Sequence, residues 1–252
     1  MIGAAGRMGA TVCHAIDAAP GFELAAAVDP GGVGQTVGEV AIAAELNALS
    51  DAHTEVAVDF TVPGAAVASA AWCADHGIHS VIGTTGVDEV ALQSLRGAFP
   101  EDGRLGCVVA PNFAIGAVLM MRFAELAAPW FETAEIIELH HDNKVDAPSG
   151  TAMLTASRMA SASADWGEDP TRVEVVAGAR GGLGPAGIRI HSVRLRGLVA
   201  HQEVLLGSDG QTLTIRHDSY DRQSFMPGVL VAVREVATRP GVTVGLEKLL
   251  SI

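Results

Sequence analysis

The sequence predicts an α/β protein, with a doubly wound parallel-sheet domain and a second domain built on a mixed sheet. Three observations carry this. Short β-branched runs alternate with Ala-rich stretches at helical spacing through the first half, the pattern of a parallel sheet covered by helices. From about Thr133 the rhythm changes to strands separated by turns. The tail, Met226 to Ala237, returns to a helical pattern that can pack back onto the first domain.

Taken in order, the first-half strands are expected at Phe22–Val28, Glu55–Phe60, Ser80–Ile82 and Gly106–Val109. Helices at Met8–Ala19, Ala65–His76 and Val87–Ala98 lie between them, each bounded by Gly or Pro. In the second half, strands are expected at Glu135–His140, Val173–Ala177, Ile188–Leu195, Gln202–Leu206 and Thr212–His217, with Ser208-Asp209-Gly210 as a turn. One helix, near Thr151–Ala162, interrupts them.

At 252 residues the chain is long enough for one large domain or two modest ones. Lys and Arg number 16 against 29 Asp and Glu, a formal charge of −13, so phosphate backbones and anionic lipid are repelled and neither nucleic acid nor a membrane is an expected partner. An anionic small substrate then needs a locally basic pocket, which directs attention to clustered His, Lys and Arg. Cys13, Cys73 and Cys107 show no metal-ligand spacing, so no metal is expected and a reduced, cytoplasmic compartment fits. The longest apolar stretch, Ala110 to Met121, has 12 residues, where a membrane span needs about 20. The N-terminus shows no apolar signal region behind a basic leader.

Gly3-Ala4-Ala5-Gly6-Arg7-Met8-Gly9 is a GxxGxxG run opening into a helix, and Asp29 lies 26 residues after Gly3 at the end of the next strand. This suits a dinucleotide: glycines admit a pyrophosphate to the backbone, the helix N-terminus offers N–H groups, and the acid takes a ribose 2′-hydroxyl. A tight turn without a ligand remains open. Only Met1 and Ile2 precede Gly3, so the strand before the loop is expected to be cut short, with a natural start several residues upstream. Asp59-Phe60-Thr61, Gly83-Thr84-Thr85-Gly86 and Ala110-Pro111-Asn112-Phe113 each follow an expected parallel strand, where ligands of such folds collect. Small Gly and Thr give clearance for a nicotinamide ring, and Asn112 can bond its amide or the adjoining ribose.

The segment from His140 through His141, Lys144, Asp146 and Pro148 to Ser149-Gly150-Thr151 is the most informative stretch. Lys144 offers a charge to a carboxylate, and the N–H groups around Gly150 and Thr151 offer a second anion site at a helix start. Strand alternation sends His140 and His141 to opposite faces unless the chain bends. A histidine between carboxylates has its protonated form favoured, which suits a general acid. Structural histidines or a His-His metal site remain alternatives.

The run His140-His141-x-x-Lys144-x-Asp146-Ala147-Pro148-Ser149-Gly150-Thr151-Ala152, with the four cofactor-like segments in the same order, resembles the dihydrodipicolinate reductase family over nearly the whole chain. The resemblance implies a Rossmann-like domain, 1–112 completed by 221–252, and an inserted α+β mixed-sheet domain, 113–220, for substrate and oligomerisation. It implies a homotetramer and NADH- or NADPH-dependent reduction of 4-hydroxy-tetrahydrodipicolinate to tetrahydrodipicolinate, in diaminopimelate and lysine biosynthesis. His140 and Lys144 become the expected catalytic pair, and His141, Ser149, Gly150 and Thr151 the substrate-carboxylate site. Cofactor contacts are expected at Gly3, Ala4, Ala5, Gly6, Arg7, Met8, Asp29, Phe60, Thr61, Gly83, Thr84, Thr85, Ala110, Pro111, Asn112 and Phe113. Asn143 stands where some members carry histidine, and Arg180 and Arg222 look family-like without an assigned role. Asp29 favours a 2′-hydroxyl over a 2′-phosphate, and Pro30 and Gly31 add no cation, while Arg7 can partly compensate, so both cofactors are expected with NADH at least as good. Two other classes stay open: a semialdehyde dehydrogenase with Cys107 as nucleophile, and a dinucleotide-binding sensor without catalysis.

Overall fold

The computed structural model describes residues 1–163 and 165–252. In chain order the elements are α1 (Arg7–Ala18), β1 (Ala27–Val28), β2 (Thr36–Val37), β3 (Val40–Ala43), α2 (Asn47–Asp51), β4 (Val56–Asp59), α3 (Pro63–Asp75), β5 (His79–Ile82), α4 (Glu89–Ala98) and β6 (Gly106–Val109). They continue with α5 (Ile115–Ala127), β7 (Thr133–His140), α6 (Gly150–Ala162), β8 (Gly182–Leu183), β9 (Arg189–Arg194), β10 (Ala200–Ser208) and β11 (Gln211–Ser219). The chain closes with α7 (Met226–Glu235), β12 (Gly241–Val244) and α8 (Glu247–Leu250). Packing groups these into one unit of Met1–Ile115 with Arg222–Ile252 and a second of Gly116–Asp221. Among the described residues no helix is long and apolar enough to cross a membrane.

In the first unit, helix formation follows the buried positions. Gly9, Val12, Cys13 and Ile16 lie on one face of α1, and Ala66, Ser69, Ala70 and Cys73 on one face of α3, both at i, i+3, i+4, i+7 spacing. Pro63 opens α3, where a missing N–H costs nothing, and the Asp88 carboxylate caps α4 by accepting from Ala91 N–H at 2.9 Å. Strands β4, β5, β6 and β12 form a parallel sheet in that order, and β1, β3 and β2 form a smaller mixed sheet with β1–β3 parallel and β3–β2 antiparallel. A core of Ala66, Ala70, Ile82, Leu95, Phe99, Cys107 and Val109 holds α3 and α4 on the larger sheet.

Met1 and Ile2 lie between β1 and β4. Ile2 bridges Val28 on one side and Asp59 on the other, both in parallel. Its N–H donates to Val58 O at 2.8 Å, and Gly3 N–H donates to Val28 O at 2.8 Å. The Met1 ammonium is buried and donates to Ala26 O at 2.7 Å, and burial lowers its pKa. Two residues therefore occupy the central strand position and hold the glycine loop. The expectation of a strand at Phe22–Val28 is corrected: only Ala27–Val28 enters a ladder, because beyond Met1 a groove of about 570 Å³ runs between residues 22–26 and 52–56.

The second unit is a five-stranded mixed sheet in the order β11, β10, β7, β9, β8, in which β7 and β9 are parallel and the other pairs antiparallel. Ile136, Ile190, Val204 and Leu206 are buried on one face, with α6 against it through the Gln202 Nε2 to Thr155 Oγ1 bond of 2.8 Å. Val173–Ala177 is not a strand: Val173, Val175 and Val176 are exposed on a segment that ends in a turn. Its β-branched residues have the propensity but no ladder to join. A second helix, α5, begins inside the apolar Ala110–Met121 stretch, and β12 extends the first unit's sheet; neither was expected.

A Cβ added at Gly9 would lie 1.9 Å from Gly3 O and 2.9 Å from the Ala4 Cα. Both are backbone atoms that cannot rotate away. Gly9→Ala should destabilise by about 1–3 kcal/mol or more, lowering the thermal midpoint by several degrees in differential scanning calorimetry. An unchanged midpoint would show that the loop does not press on α1 as described.

Candidate active site

The sheet of the first unit brings the expected cofactor segments to one edge. Asp59 pairs with Ile82 and Ile82 with Val109, so the residues that follow, Phe60, Gly83 and Ala110, leave the sheet side by side. Gly83 N–H donates to Asp59 O at 2.9 Å and Ala110 N–H to Ile82 O at 3.0 Å, which keeps the three turns together. Phe60 and Phe113 pack ring to ring at 5.7 Å between centroids, and a Cβ at Gly83 would penetrate the Phe60 ring at 2.2 Å. Glycine at position 83 is thus dictated by Phe60. Thr84 Oγ1 donates to Thr61 O at 3.2 Å, and Thr61 bonds the buried Asp59 carboxylate through its N–H and hydroxyl at 2.8 and 2.6 Å. Burial raises the Asp59 pKa, against those two bonds. Thr85, Gly86 and Pro111 are exposed, and Asn112 Oδ1 accepts from Ala114 N–H at 2.9 Å at the entry to α5.

The glycine loop runs from Ile2 into α1. Gly3 takes φ +79°, and Gly6 caps α1 without a side-chain bond. No acid lies in the first turn of α1, so its N–H groups and partial positive charge suit an anion. Ala4 is buried, Met8 half-buried, and Ala5, Gly6 and Arg7 are exposed. Asp29 is already engaged: Oδ2 accepts from Ala5 N–H at 3.0 Å and Oδ1 from Gly31 N–H at 2.9 Å. The acid expected at a ribose therefore also shapes the loop. A loop with no room for a Cβ at Gly9, a helix start without a side-chain cap and an acid at the next strand end fit a dinucleotide.

In the second unit, β7 ends at His140 and the chain turns at once, with Lys144 N–H donating to His141 O at 3.2 Å. His140 is half-buried and His141 exposed outside the strand. His140 Nδ1 lies 2.5 Å from Glu138 Oε2, two residues back on the same face. Glu138 is 0% exposed. Arg194, which pairs with His140 in the β7–β9 register, donates from Nη1 to Glu138 Oε2 at 2.9 Å and from Nη2 to Oε1 at 2.8 Å. Arg194 Nη2 also reaches Asp146 O at 2.6 Å. Ser149 N–H donates to Glu138 Oε1 at 3.2 Å, while Ser149 Oγ caps α6 by accepting from Ala152 N–H at 3.2 Å. Gly150 and Thr151 form the first turn of that helix, with open space above Gly150. The Lys144 ammonium holds both oxygens of Asp146, at 2.8 and 2.9 Å.

Electrostatically, burial pushes Glu138 up, but bonds from Arg194, Ser192 and His140 outweigh it and the carboxylate titrates below its ordinary value. His140 is lowered, first by burial, then by Lys144 and Arg194, with Glu138 opposing. Within the protein itself one carboxylate, Glu138, faces the ring beside two cations. Sequence reasoning found His140, Lys144 and Ser149 but missed Glu138 and Arg194. The signal for Glu138 was a lone acid on His140's face of an apolar strand. Arg180 donates to Glu135 Oε1 at 2.7 Å and lies 3.4 Å from Asp169, lining a cavity of about 460 Å³ that His140 and Lys144 do not line. Arg222 opens the short turn before α7.

Cys107 is 0% exposed, and burial pushes its thiol up to about 12. Cys73 is likewise pushed up to about 11 and Cys13 is raised, each by burial. A nucleophile needs thiolate and access, so the cysteine-dependent dehydrogenase reading fails. The native protein should yield none of its three thiols to iodoacetamide at pH 8 and all three after unfolding, as read by mass spectrometry. Rapid native alkylation of Cys107 would overturn this.

Comparison with known proteins converges on the same family. The family model described as dihydrodipicolinate reductase, N-terminus, matches residues 1–113, and the one described as dihydrodipicolinate reductase, C-terminus, matches residues 116–250. A 4-hydroxy-tetrahydrodipicolinate reductase from Cutibacterium acnes is 53% identical over 256 residues, spanning 100% of this chain and 98% of that one. Its counterpart from Nocardia farcinica is 49% identical over 254 residues, with 100% and 98% covered. A dipicolinate-bound dihydrodipicolinate reductase from a Paenisporosarcina species superposes with a TM-score of 0.88 at 42% identity, over 98% of this chain and 97% of that one. With a glycine-loop unit and a His-Lys unit matched from end to end, the chain belongs to the dihydrodipicolinate reductase family.

Proposed function

We propose that the protein reduces 4-hydroxy-tetrahydrodipicolinate to tetrahydrodipicolinate, a step of diaminopimelate and lysine biosynthesis, with the first unit holding a nicotinamide cofactor and the second the dicarboxylate. The observation that carries this is the placing of an imidazole and an ammonium, His140 at the end of β7 and Lys144 on the loop that follows, ahead of the N-terminus of α6. The family names its activity, and a relative binds dipicolinate, a ring with two carboxylates.

Balanced overall, the substrate loses one water and gains a hydride and a proton. The reduced nicotinamide supplies the hydride when bound. Lys144 offers a fixed charge to one carboxylate, and His141, Ser149 and the Gly150–Thr151 helix start serve the other, where N–H groups and the helix dipole favour an anion. His140 exchanges the proton. A bound dianion beside the ring favours imidazolium, which offsets the downward shift that burial gives the ring. Turnover should then fall as pH rises through the pKa of His140 in the complex.

Gly3, Ala4, Ala5, Gly6, Arg7 and Met8 would take the cofactor's pyrophosphate. Phe60, Thr61, Gly83, Thr84, Thr85, Ala110, Pro111, Asn112 and Phe113 would surround its nicotinamide half. Asp29 would bond the adenine-side ribose. Its carboxylate, followed by the uncharged Pro30 and Gly31, disfavours a 2′-phosphate, which supports use of both cofactors with NADH at least as good. The face of the second unit's sheet opposite α6 carries the partly buried Ile137, Leu139 and Leu205, a surface that suits assembly into a homotetramer. The cytoplasm is the proposed location.

The test is oxidation of NADH at 340 nm with freshly generated substrate. His140→Ala should lower turnover by roughly 10²–10⁴-fold with little change in KM, the usual effect of losing a general acid. Lys144→Ala should lower turnover and raise KM together. No turnover despite NADH binding would favour a dinucleotide sensor, and a rise in KM alone for His140→Ala would remove it as proton donor. A much lower KM for NADPH than for NADH would overturn the assigned preference.

A further inference from the structure

Glu138 occupies a position that sheet chemistry would give to an apolar side chain. It shares its face with Ile136, Val204 and Leu206, all buried, yet it carries a charge with no exposure to water. Burying an ion pair gains little over packed hydrocarbon of the same volume, so stability alone is a weak reason for Glu138 and Arg194. The pair reaches three pieces of the proposed site at once: His140 at Nδ1, the Lys144 loop through the Asp146 carbonyl, and the start of α6 through Ser149 N–H.

On the reductase reading above, we propose that Glu138, held by Arg194, is the positioning residue of His140, fixing the Nδ1–H tautomer so that Nε2 is the atom that exchanges the proton. An ionised carboxylate only accepts hydrogen bonds, so the ring nitrogen at 2.5 Å must be the donor. The neutral ring then has its lone pair on Nε2. In the proton-transfer step the Nε2–H bond of the imidazolium breaks as a C–H bond forms on the substrate, and the ring is left neutral with Nδ1–H still on Glu138. Water returns the proton.

Charge follows the same geometry. The charged groups acting on His140 are Glu138 on its own strand, Arg194 on β9 and Lys144 on the loop, while its β10 neighbour, Ala200, is uncharged. Glu138 is the anion that favours imidazolium against two cations. Its removal therefore shifts the protonated form to lower pH and leaves the ring free to turn.

The experiment pairs kinetics of Glu138→Gln with ¹⁵N NMR of histidine-labelled protein, the His140 signal being assigned by its loss in His140→Ala. Glu138→Gln should lower turnover by roughly 10- to 100-fold, as loss of a histidine-orienting partner does. The alkaline fall of its pH profile should move to lower pH, and NADH affinity and substrate KM should change far less. In the wild type at high pH, the His140 signals should show a protonated Nδ1 and a bare Nε2, with the variant mixing tautomers. If Glu138→Gln does not fold, the wild-type tautomer decides alone: a bare Nδ1 overturns the proposal. An unmoved pH profile with an unmoved tautomer in a folded variant overturns it as well. Absence of wild-type turnover would sink the reductase reading instead, and the tautomer would still be decided by NMR.

Discussion

The first unit is held together through a short segment in the middle of its sheet. Ile2 bonds β4 through its own N–H and O, while Met1 O and Gly3 N–H bond Val28 of β1, so the β1–β3–β2 ribbon and the β4–β5–β6–β12 sheet share one backbone between them. The glycine loop starts at Gly3. Its position is set by Gly3 N–H on Val28 O and by the tight contact of Gly3 with Gly9, not by the loop's own side chains. Asp29, immediately after Val28, then reaches Ala5 N–H and closes the loop from the far side. The glycine loop is thus built from backbone restraints, with glycine needed where atoms crowd and a carboxylate needed where the loop would otherwise open.

In the second unit a charge, not a backbone bridge, plays that part. The β7–β9 register sets Arg194 beside His140, and strand alternation sets Glu138 under it. Once the Glu138 carboxylate is buried, every oxygen contact must be supplied by protein, because an unpaired buried ion costs several kcal/mol. Arg194, Ser149 N–H and His140 supply them, and the loop and the helix start are drawn in as a consequence. The desolvation of one carboxylate thereby converts a loop of mostly exposed residues into a defined arrangement.

What was legible in the sequence was what local period encodes. Helices α1 and α3 show their buried faces as small and apolar residues at helical spacing, and β4, β5 and β6 are short apolar runs ended by turns. The glycine loop and the His140–Thr151 segment are contiguous, so their residue types suffice. Partnership was not legible. Val173–Ala177 has strand composition and no neighbour, Phe22–Ala26 lies beside a groove, and β12 becomes a strand because β6 is there to receive it. α5 was hidden because Pro111 and Asn112 interrupt the apolar run just before its first turn. Arg194 stands 56 residues from Glu138, and only the fold brings them together.

Two ion pairs beside His140 differ in a way that separates holding from exchange. Arg194–Glu138 is buried at the carboxylate and bidentate, so breaking it strands a charge in a place water does not reach. Lys144–Asp146 joins a largely buried ammonium to an Asp146 side chain that is 57% exposed. Such a pair is the weaker of the two, since water competes for the exposed Asp146 carboxylate. A substrate carboxylate can therefore replace Asp146 on Lys144 at little cost, while it has no comparable means of drawing Arg194 from Glu138. In a chain of net charge −13, the proposed capture of a dianion would then depend on one cation that is easily exchanged and another that stays committed to the scaffold. Asp146 thus keeps the Lys144 ammonium on the loop, through both of its carboxylate oxygens.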